Sequence, residues 1–204
     1  MIVDFSRQKT ARIYAIMSQT IMPRPIAWIL SENDNGSYNL APFSYFAPVC
    51  SQPPLIMVSI GSREDGTPKD SRANIVARRD FVIHIPSWPE LAPMNASSAT
   101  LPPGVSEVEE LGLKLVDFEG FRLPRLQSSR VALGCSLYEI KEIGSGPYAM
   151  ILGQIERVYL DDAAVLDDDG EKIAIDPEYL DPVARLGGIQ YAKQGKVVSL
   201  PRPR

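Results

Sequence analysis

The chain has 204 residues, of which 45% are apolar and 23% are charged, as is usual for a globular domain with a substantial core. The formal net charge of −4 and an isoelectric point of about 5.1 argue against a nucleic-acid-binding surface. No apolar run approaches the length of a membrane span and the N-terminus lacks the pattern of a secretion signal. We therefore expect a cytoplasmic protein with no nucleic-acid partner and no membrane segment.

Short apolar segments bounded by proline, glycine and asparagine predict a chain built mainly of strands. Asn35-Gly36 indicates a hairpin turn, because both residue types tolerate positive φ angles. A second turn is predicted at 144–147, where it joins two long β segments. The predicted strands cover residues 26–30, 38–46, 55–60, 81–85, 113–116, 131–143 and 148–160.

The first predicted helix begins at Thr67 and ends near Arg79. Thr67 would be its N-cap, Pro68 its first residue and Asp70 its third, an order typical of a capped helix start. Short helical segments are also predicted over 89–96 and 176–180. Hairpin-connected strands with few helices favour a mainly β protein, an antiparallel barrel with helical insertions. No G-x-G-x-x-G follows the first strand, so a Rossmann domain has no support.

The predicted helix start is a candidate phosphate site, because free N–H groups and the helix dipole attract anions there. Lys69 would add a full positive charge and Ser71 a hydroxyl donor. The glycines at 61 and 66 would let the preceding loop wrap around an anion. The alternative is an ordinary surface helix with good caps, and the sequence by itself does not decide between the two.

Residues 39–46 mix polar and aromatic side chains around Pro42. This mixture suits contacts to a flat polar ring, and it equally suits a bulged edge strand whose aromatic side chains lie in the core. His84, the only histidine, lies in an apolar segment, which favours a hydrogen-bonded structural role over a ligand contact. A single histidine leaves little room for a multi-histidine metal site or a Ser–His–Asp triad. These features predict a barrel with a candidate phosphate site and name no reaction.

Taken together, the motifs resemble the flavin reductase-like family, whose FMN-binding fold is the split barrel. The resemblance spans about residues 20–195, the core of a single domain covering 1–204, and its 23–28 segment is most similar to the flavoredoxin-type branch. Ser71 stands where the family often has Thr, and His84 where it often has Asn. The matching segments are 23–28, 39–46, 51–55, 69–71, 74–75, 81–85, 94–96, 102–104 and 185–188 with Tyr191.

The resemblance implies an NAD(P)H-dependent flavin reductase that passes a hydride from the nicotinamide to FMN, with FAD as the other candidate flavin. It implies no catalytic side chain, because the flavin carries the chemistry. It also implies a homodimer. The alternative function is that of a flavoredoxin-like FMN electron carrier, which a redox partner protein reduces.

The resemblance also implies roles for individual residues. Asn74 would brace the phosphate loop, and Arg185 and Tyr191 would close the site. The implied phosphate contacts are Lys69, Ser71, Ser44 and Ser59, with Arg24 as a further contact to phosphate or ring and Asp70 as a further cofactor-binding residue. The implied contacts to the ring and ribityl chain are Trp28, Asn39, Leu40, Ala41, Pro42, Phe43 and Ser44, with His84 on the flavin side.

Overall fold

The computed structural model describes residues 1–144 and 147–203. The described strands are β1 (Ala27–Glu32), β2 (Tyr38–Phe43), β3 (Phe46–Ser51), β4 (Pro54–Ile60), β5 (Asp80–His84), β6 (Leu115–Val116), β7 (Arg125–Leu126), β8 (Val131–Ile143), β9 (Tyr148–Leu160), β10 (Val165–Asp168), β11 (Ile173–Ile175), β12 (Ala184–Arg185) and β13 (Tyr191–Ala192). The described helices are α1 (Thr10–Thr20), α2 (Asp70–Arg78), α3 (Leu91–Ala96), α4 (Glu107–Glu110) and α5 (Pro177–Leu180), with 3-10 turns at Phe5–Arg7, Trp88–Glu90 and Asp162–Ala164.

Seven strands form one antiparallel sheet in the order β2-β1-β5-β8-β9-β4-β3. Its two edge strands, β2 and β3, are joined directly through Ser44 and Tyr45, so the sheet curls back on itself. The Ser59 N–H donates to the Tyr45 carbonyl at 2.8 Å and ties this link to β4. The edge strands do not pair with each other, which leaves a seam along the barrel. The predicted fold class, an antiparallel split β-barrel with short helices, is confirmed.

The central strands β1 and β5 are buried on both faces. Successive side chains of a strand point to opposite faces, so each strand feeds two cores. Ile29 and Phe81 lie in the core inside the barrel, to which α2 adds Ile75. Trp28 and Val82 lie in a second core outside the barrel, beneath α3 and α4. This second core fixes the helical segments, and the loops that follow them, against the sheet.

The helix predicted from Thr67 begins instead at Asp70, with Lys69 as its N-cap residue. The Thr67 N–H and hydroxyl both donate to the Asp65 carboxylate, at 2.9 and 2.6 Å. The Arg63 N–H donates to the Thr67 carbonyl at 2.8 Å, which closes a tight loop before the helix. The prediction that Thr67 caps the helix was therefore wrong, because a closer carboxylate occupies its side chain.

Other element boundaries also differ from the predictions. The strand predicted over 38–46 is broken at Ser44 and Tyr45, where the chain passes from β2 to β3. Helix α1 was not predicted, because only Ser18 of its residues is buried and no side chain caps its start. The Asn35-Gly36 hairpin turn is confirmed, with Gly36 at a φ of +81°. Residues 145 and 146 of the turn predicted at 144–147 lie outside the described residues.

Candidate functional site

Two adjoining cavities open beside the seam between β2 and β3. The smaller has a volume of about 380 Å³ and the larger about 750 Å³. They form one groove, since five residues line both: Pro42, Phe43, Ser62, Lys69 and Ser98. Cofactor pockets commonly occupy about 300–1,000 Å³, so the groove is large enough for a mononucleotide.

The structure brings most of the predicted site residues to this groove. They come from β2, the link to β3, the end of β4, the start of α2 and the segment around β12 and β13. Those lining the smaller cavity are Pro42, Phe43, Ser44, Ser59, Lys69, Arg185 and Tyr191. Those lining the larger cavity are Asn39, Ala41, Pro42, Phe43, Lys69, Asp70 and Ser71.

Lys69 lies on the rim that the two cavities share. Its side chain is exposed, and its ammonium group lies 5.7 Å from the centre of the Phe43 ring. Among the residues that the structure describes, no carboxylate forms an ion pair with it. Lys69 is therefore available to an anionic group in either cavity.

Ser71 offers a hydroxyl donor at the start of α2. Its oxygen accepts a hydrogen bond from the Asn39 amide at 2.8 Å, which fixes the hydroxyl and leaves its proton free to donate. Ser71 is buried but still lines the larger cavity. Lys69 and Ser71 thus place a charge and a hydroxyl donor within one turn of chain.

Arg24 does not line either cavity, in contrast to its predicted contact with phosphate or ring. Its guanidinium is buried and donates to the carbonyls of Ser18, Ile21 and Leu186, at 2.5, 2.6 and 2.7 Å. It also donates to the Ser44 hydroxyl at 3.4 Å. Arg24 therefore joins the end of α1 to the segment that carries Arg185, and it acts on the groove only through these neighbours.

Trp28 and His84 are fully buried and do not line the groove. The predicted contacts of these two residues with the flavin are therefore not seen. The Trp28 indole N–H donates to the Ser97 hydroxyl at 2.9 Å. His84 Nδ1 lies 3.1 Å from the Trp28 carbonyl, and its Nε2 accepts from the Leu126 N–H at 3.0 Å, so the neutral Nδ1–H tautomer satisfies both contacts. Burial lowers the pKa of His84 to about 3. The structural interpretation of His84 matches these contacts.

Leu40 and Asn74 also lie away from the groove. The Leu40 side chain is fully buried in the second core. The Asn74 amide donates to Asn33 at 2.9 Å and to Ser31 at 3.2 Å. Asn74 therefore connects α2 to the turn after β1, whereas the prediction gave it the phosphate loop.

The two cavities differ in charge. Among the residues that the structure describes, the smaller is lined by the cations Lys69 and Arg185 and by no carboxylate. The larger contains Lys69 and Arg63, whose guanidinium pairs with Asp70 at 2.5 Å. Its carboxylates are Glu64, Asp65, Asp70 and Glu107. An anionic group is therefore favoured at the smaller cavity and the shared rim, and disfavoured deep in the larger cavity.

Sequence reasoning missed Tyr14, Tyr45 and Tyr148 and the acidic residue Glu107, whereas Tyr191, the fourth tyrosine of the groove, was predicted. Tyr14 of α1 stacks on Tyr45 with ring centres 6.4 Å apart, and burial raises the pKa of Tyr45. Glu107 lines the larger cavity from α4. The smaller cavity takes its aromatic wall from Tyr14, Tyr45, Tyr148 and Tyr191. These residues are far apart in the chain and follow no period, so no local pattern groups them.

Residues 1–144 and 147–203 contain no cluster of three metal-ligating side chains and no helix long and apolar enough to cross a membrane. The groove is thus the prominent concave site of the described structure, with a cation, hydroxyl donors and aromatic side chains around it.

Comparison with known proteins identifies the family. Residues 17–172 match the family model of the flavin reductase like domain. The chain belongs to the flavin reductase-like family. An uncharacterised protein of Halalkalibacterium halodurans is 38% identical over 194 residues, which cover 93% of this chain and 90% of that protein.

Solved structures of similar fold extend the match beyond the flavin reductase-like domain itself. Component B of nitrilotriacetate monooxygenase from Bacillus cereus has a TM-score of 0.90 at 30% identity and covers 98% of both chains. The 2-nitrobenzoate 2-nitroreductase of Pseudomonas fluorescens has a TM-score of 0.88 at 27% identity and covers 100% of this chain and 96% of that one. The shared structure therefore includes the segment with Arg185 and Tyr191, which follows the family match.

Proposed function

We propose that this protein binds FMN in the groove and acts as an NAD(P)H-dependent flavin reductase. The observation that carries the proposal is the position of Lys69, a cation without a paired carboxylate among the described residues, on the shared rim of the groove. The rim lies between hydroxyl donors and an aromatic wall in a member of the flavin reductase-like family. FAD remains the second candidate flavin, because the contacts at the rim suit the phosphate of either.

The residues of the groove fit a flavin mononucleotide. The Lys69 ammonium and the Ser71 hydroxyl would bind the phosphate, with Ser44 and Ser59 in the smaller cavity as further donors. The start of α2 at Asp70 adds the positive end of the helix dipole beside them. Pro42, Phe43 and Ala41 would flank the ring system along the end of β2.

When bound, the flavin would accept a hydride from the nicotinamide and pass electrons on to an acceptor. The protein would orient the reactants rather than transfer protons itself, so we assign no catalytic side chain. Arg185, whose guanidinium lies 4.5 Å from the centre of the Tyr191 ring, would hold the open side of the smaller cavity. The Tyr191 hydroxyl donates to Asn95 at 2.8 Å and anchors that segment to α3.

The decisive experiment combines a binding assay with a turnover assay on the purified full chain. FMN should bind with quenching of its fluorescence, and NADH or NADPH should be consumed only when both protein and FMN are present. Absence of FMN binding would refute the proposal that the groove is a flavin site. Parallel assays with NADH and NADPH, and with FMN and FAD, would identify the preferred nucleotides.

A flavoredoxin-like carrier would give a different result in the same assays. It would bind FMN tightly and leave both reduced nicotinamides unconsumed, and its flavin would be reduced only when a partner reductase is added. That outcome would contradict the reductase activity and leave the flavin site in place.

We further propose that the protein is a homodimer.

A further inference from the structure

Glu107 is a buried carboxylate that α4 and β2 hold in place. Its residue is 6% exposed, and its Oε2 accepts a hydrogen bond from the Leu40 N–H at 2.9 Å. Ser106, the N-cap of α4, donates its hydroxyl to the Tyr38 carbonyl at 2.6 Å. Because β2 is an edge strand of the sheet, its outward backbone groups are free to make these two bonds. Glu107 is therefore fixed against the strand that forms the floor of the groove.

Within 1–144 and 147–203 no donor besides the Leu40 N–H meets the geometry of a hydrogen bond to the Glu107 carboxylate, although the residue's own backbone N–H lies close enough to lower its pKa. Every side-chain polar atom of these residues that is sealed from solvent has a hydrogen-bond partner, so the second carboxylate oxygen, Oε1, must be reachable from outside. Glu107 is only 6% exposed and lines the larger cavity, so that cavity is the open space available to its carboxylate. Arg63, a cation that also lines this cavity, is paired with Asp70. The groove thus contains a fixed hydrogen-bond acceptor that the protein itself leaves unused.

In the free protein water can reach Oε1, so a ligand that displaces this water must supply a donor in its place. Burial raises the pKa of Glu107, and a donated hydrogen bond would offset the cost of holding its charge there. A phosphate cannot be that ligand group, because two anions would repel each other in this enclosed space. An uncharged hydroxyl or N–H group satisfies the acceptor without repulsion.

We infer that Glu107 is a ligand-binding residue that accepts a hydrogen bond from an uncharged O–H or N–H group in the larger cavity. The inference rests on the proposed function and makes it more specific. The donor on a flavin would be a ribityl hydroxyl or the ring N–H, and the phosphate would lie at the shared rim, between Lys69 and Ser71. Glu107 would thereby fix which end of the molecule enters the larger cavity.

The variant Glu107→Gln tests this role with almost no change in shape. The Leu40 N–H must keep an acceptor, so the glutamine carbonyl takes the position of Oε2 and its NH₂ group takes the position of Oε1. The glutamine NH₂ group, a donor, would then face the O–H or N–H donor of the ligand, and no hydrogen bond could form between them. We expect the affinity for riboflavin to fall by about tenfold or more. Glu110→Gln, an exposed change in the same helix, is the matched control and should leave the affinity unchanged.

Fluorescence titrations with FMN, riboflavin and lumiflavin separate the possible donors. Lumiflavin has the ring and no ribityl chain. Weaker binding of FMN and riboflavin alone would assign the hydroxyl, and weaker binding of all three would assign the ring N–H. Equal affinities of wild type and Glu107→Gln for all three flavins would overturn the inference and leave the flavin site intact. Failure of the wild type to bind any flavin would instead refute the proposed function.

Ligand-side changes provide a second measurement that does not depend on folding of the variant. With the wild-type protein, riboflavin should bind more tightly than lumiflavin if a ribityl hydroxyl is the donor. Methylation of the ring nitrogen should weaken lumiflavin if the ring N–H is the donor. If neither comparison shows a loss, Glu107 accepts no hydrogen bond from a flavin and the inference fails.

Discussion

At the scale of single residues, the groove depends on which charges are already paired inside the protein. Arg63 is neutralised by Asp70, and Arg185 lies over the Tyr191 ring while its guanidinium donates to the Gly188 carbonyl. Lys69, by contrast, lies at the rim without a paired carboxylate among the described residues. It is the side chain whose loss should most directly affect an anionic ligand.

Replacing Lys69 with alanine should weaken FMN binding by about 10- to 100-fold, since a charge-assisted hydrogen bond contributes about 1.5–3 kcal/mol. Riboflavin lacks the phosphate, so its affinity should change little. Lys172→Ala, which removes an exposed lysine from the β10–β11 hairpin, is the matched control. Fluorescence titration of the two variants measures the effect. Equal FMN affinities would remove Lys69 from the proposed phosphate site.

His84 should make stability depend on pH in a defined interval. The unfolded chain binds a proton to His84 near pH 6.5, whereas the folded protein does so only near pH 3. The stability contribution is therefore complete above about pH 6.5 and declines as the pH falls toward 3, by about 1.4 kcal/mol per pH unit. Urea unfolding between pH 7 and 5 should show this slope in the wild type.

The variant His84→Gln should be less stable and should lose most of that slope. His84 is the only histidine, so its imidazole NMR signals can be followed without ambiguity. They should not titrate between pH 7 and 5 while the protein is folded. A normal titration near pH 6.5 would contradict the buried neutral histidine described above.

At the scale of elements, the long strands β8 and β9 were predictable, whereas β3, β7 and the short strands β10 to β13 were not, and the site was predictable only in part. β8 and β9 match their predicted ranges, because long apolar alternation bounded by turn residues is a local property. The start of α2 was misplaced, because the contact between Thr67 and Asp65 competes with a helix cap. Tyr14 and Glu107 could not be predicted as groove residues, since only tertiary contacts bring α1 and α4 there.

Arg24 connects the end of α1 to the segment around Leu186, and its loss should separate the two. Arg24→Met removes donors to the last turn of α1 and to Leu186, and we expect a loss of about 2–3 kcal/mol in unfolding free energy. For a chain of this size that corresponds to a Tm lower by about 4–12 °C. Arg12→Met, an exposed change in α1, is the control. A Tm equal to that of the control would show that the Arg24 hydrogen bonds add no stability.

Gly187 gives independent evidence that α1 packs closely against the loop that carries Arg185. A Cβ atom on Gly187 would lie 2.1 Å from Gln19 Cγ and 3.1 Å from its Cα. Gly187→Ala should therefore push the loop that carries Arg185 away from α1 and lower FMN affinity, whereas Gly195→Ala, which meets no atom within 4 Å, should have no effect. FMN titration and Tm of the two variants would check this, and equal behaviour would contradict the close packing.

At the scale of the whole molecule, apolar side chains stand exposed along and beside the β8–β9 hairpin. Tyr138, Ile143, Tyr148 and Val158 are each between 42% and 59% exposed. A homodimer that covers part of this surface should sediment at twice the chain mass of 22.5 kDa. Tyr138→Glu should shift the equilibrium toward monomer, and Val198→Glu in the exposed C-terminal segment should not. A monomeric wild type at micromolar concentration would refute the dimer.

The two-sided burial of β1 and β5 bears on any search for function by saturation mutagenesis. Along β9, positions 148–154 alternate between buried residues and half-buried or exposed ones, so substitutions should be accepted most readily at every second codon. β1 has no such permissive positions among its first five residues, all of them buried. The most intolerant stretch of the gene would then mark structural strands, and the ligand-contacting residues would have to be sought among positions of intermediate sensitivity.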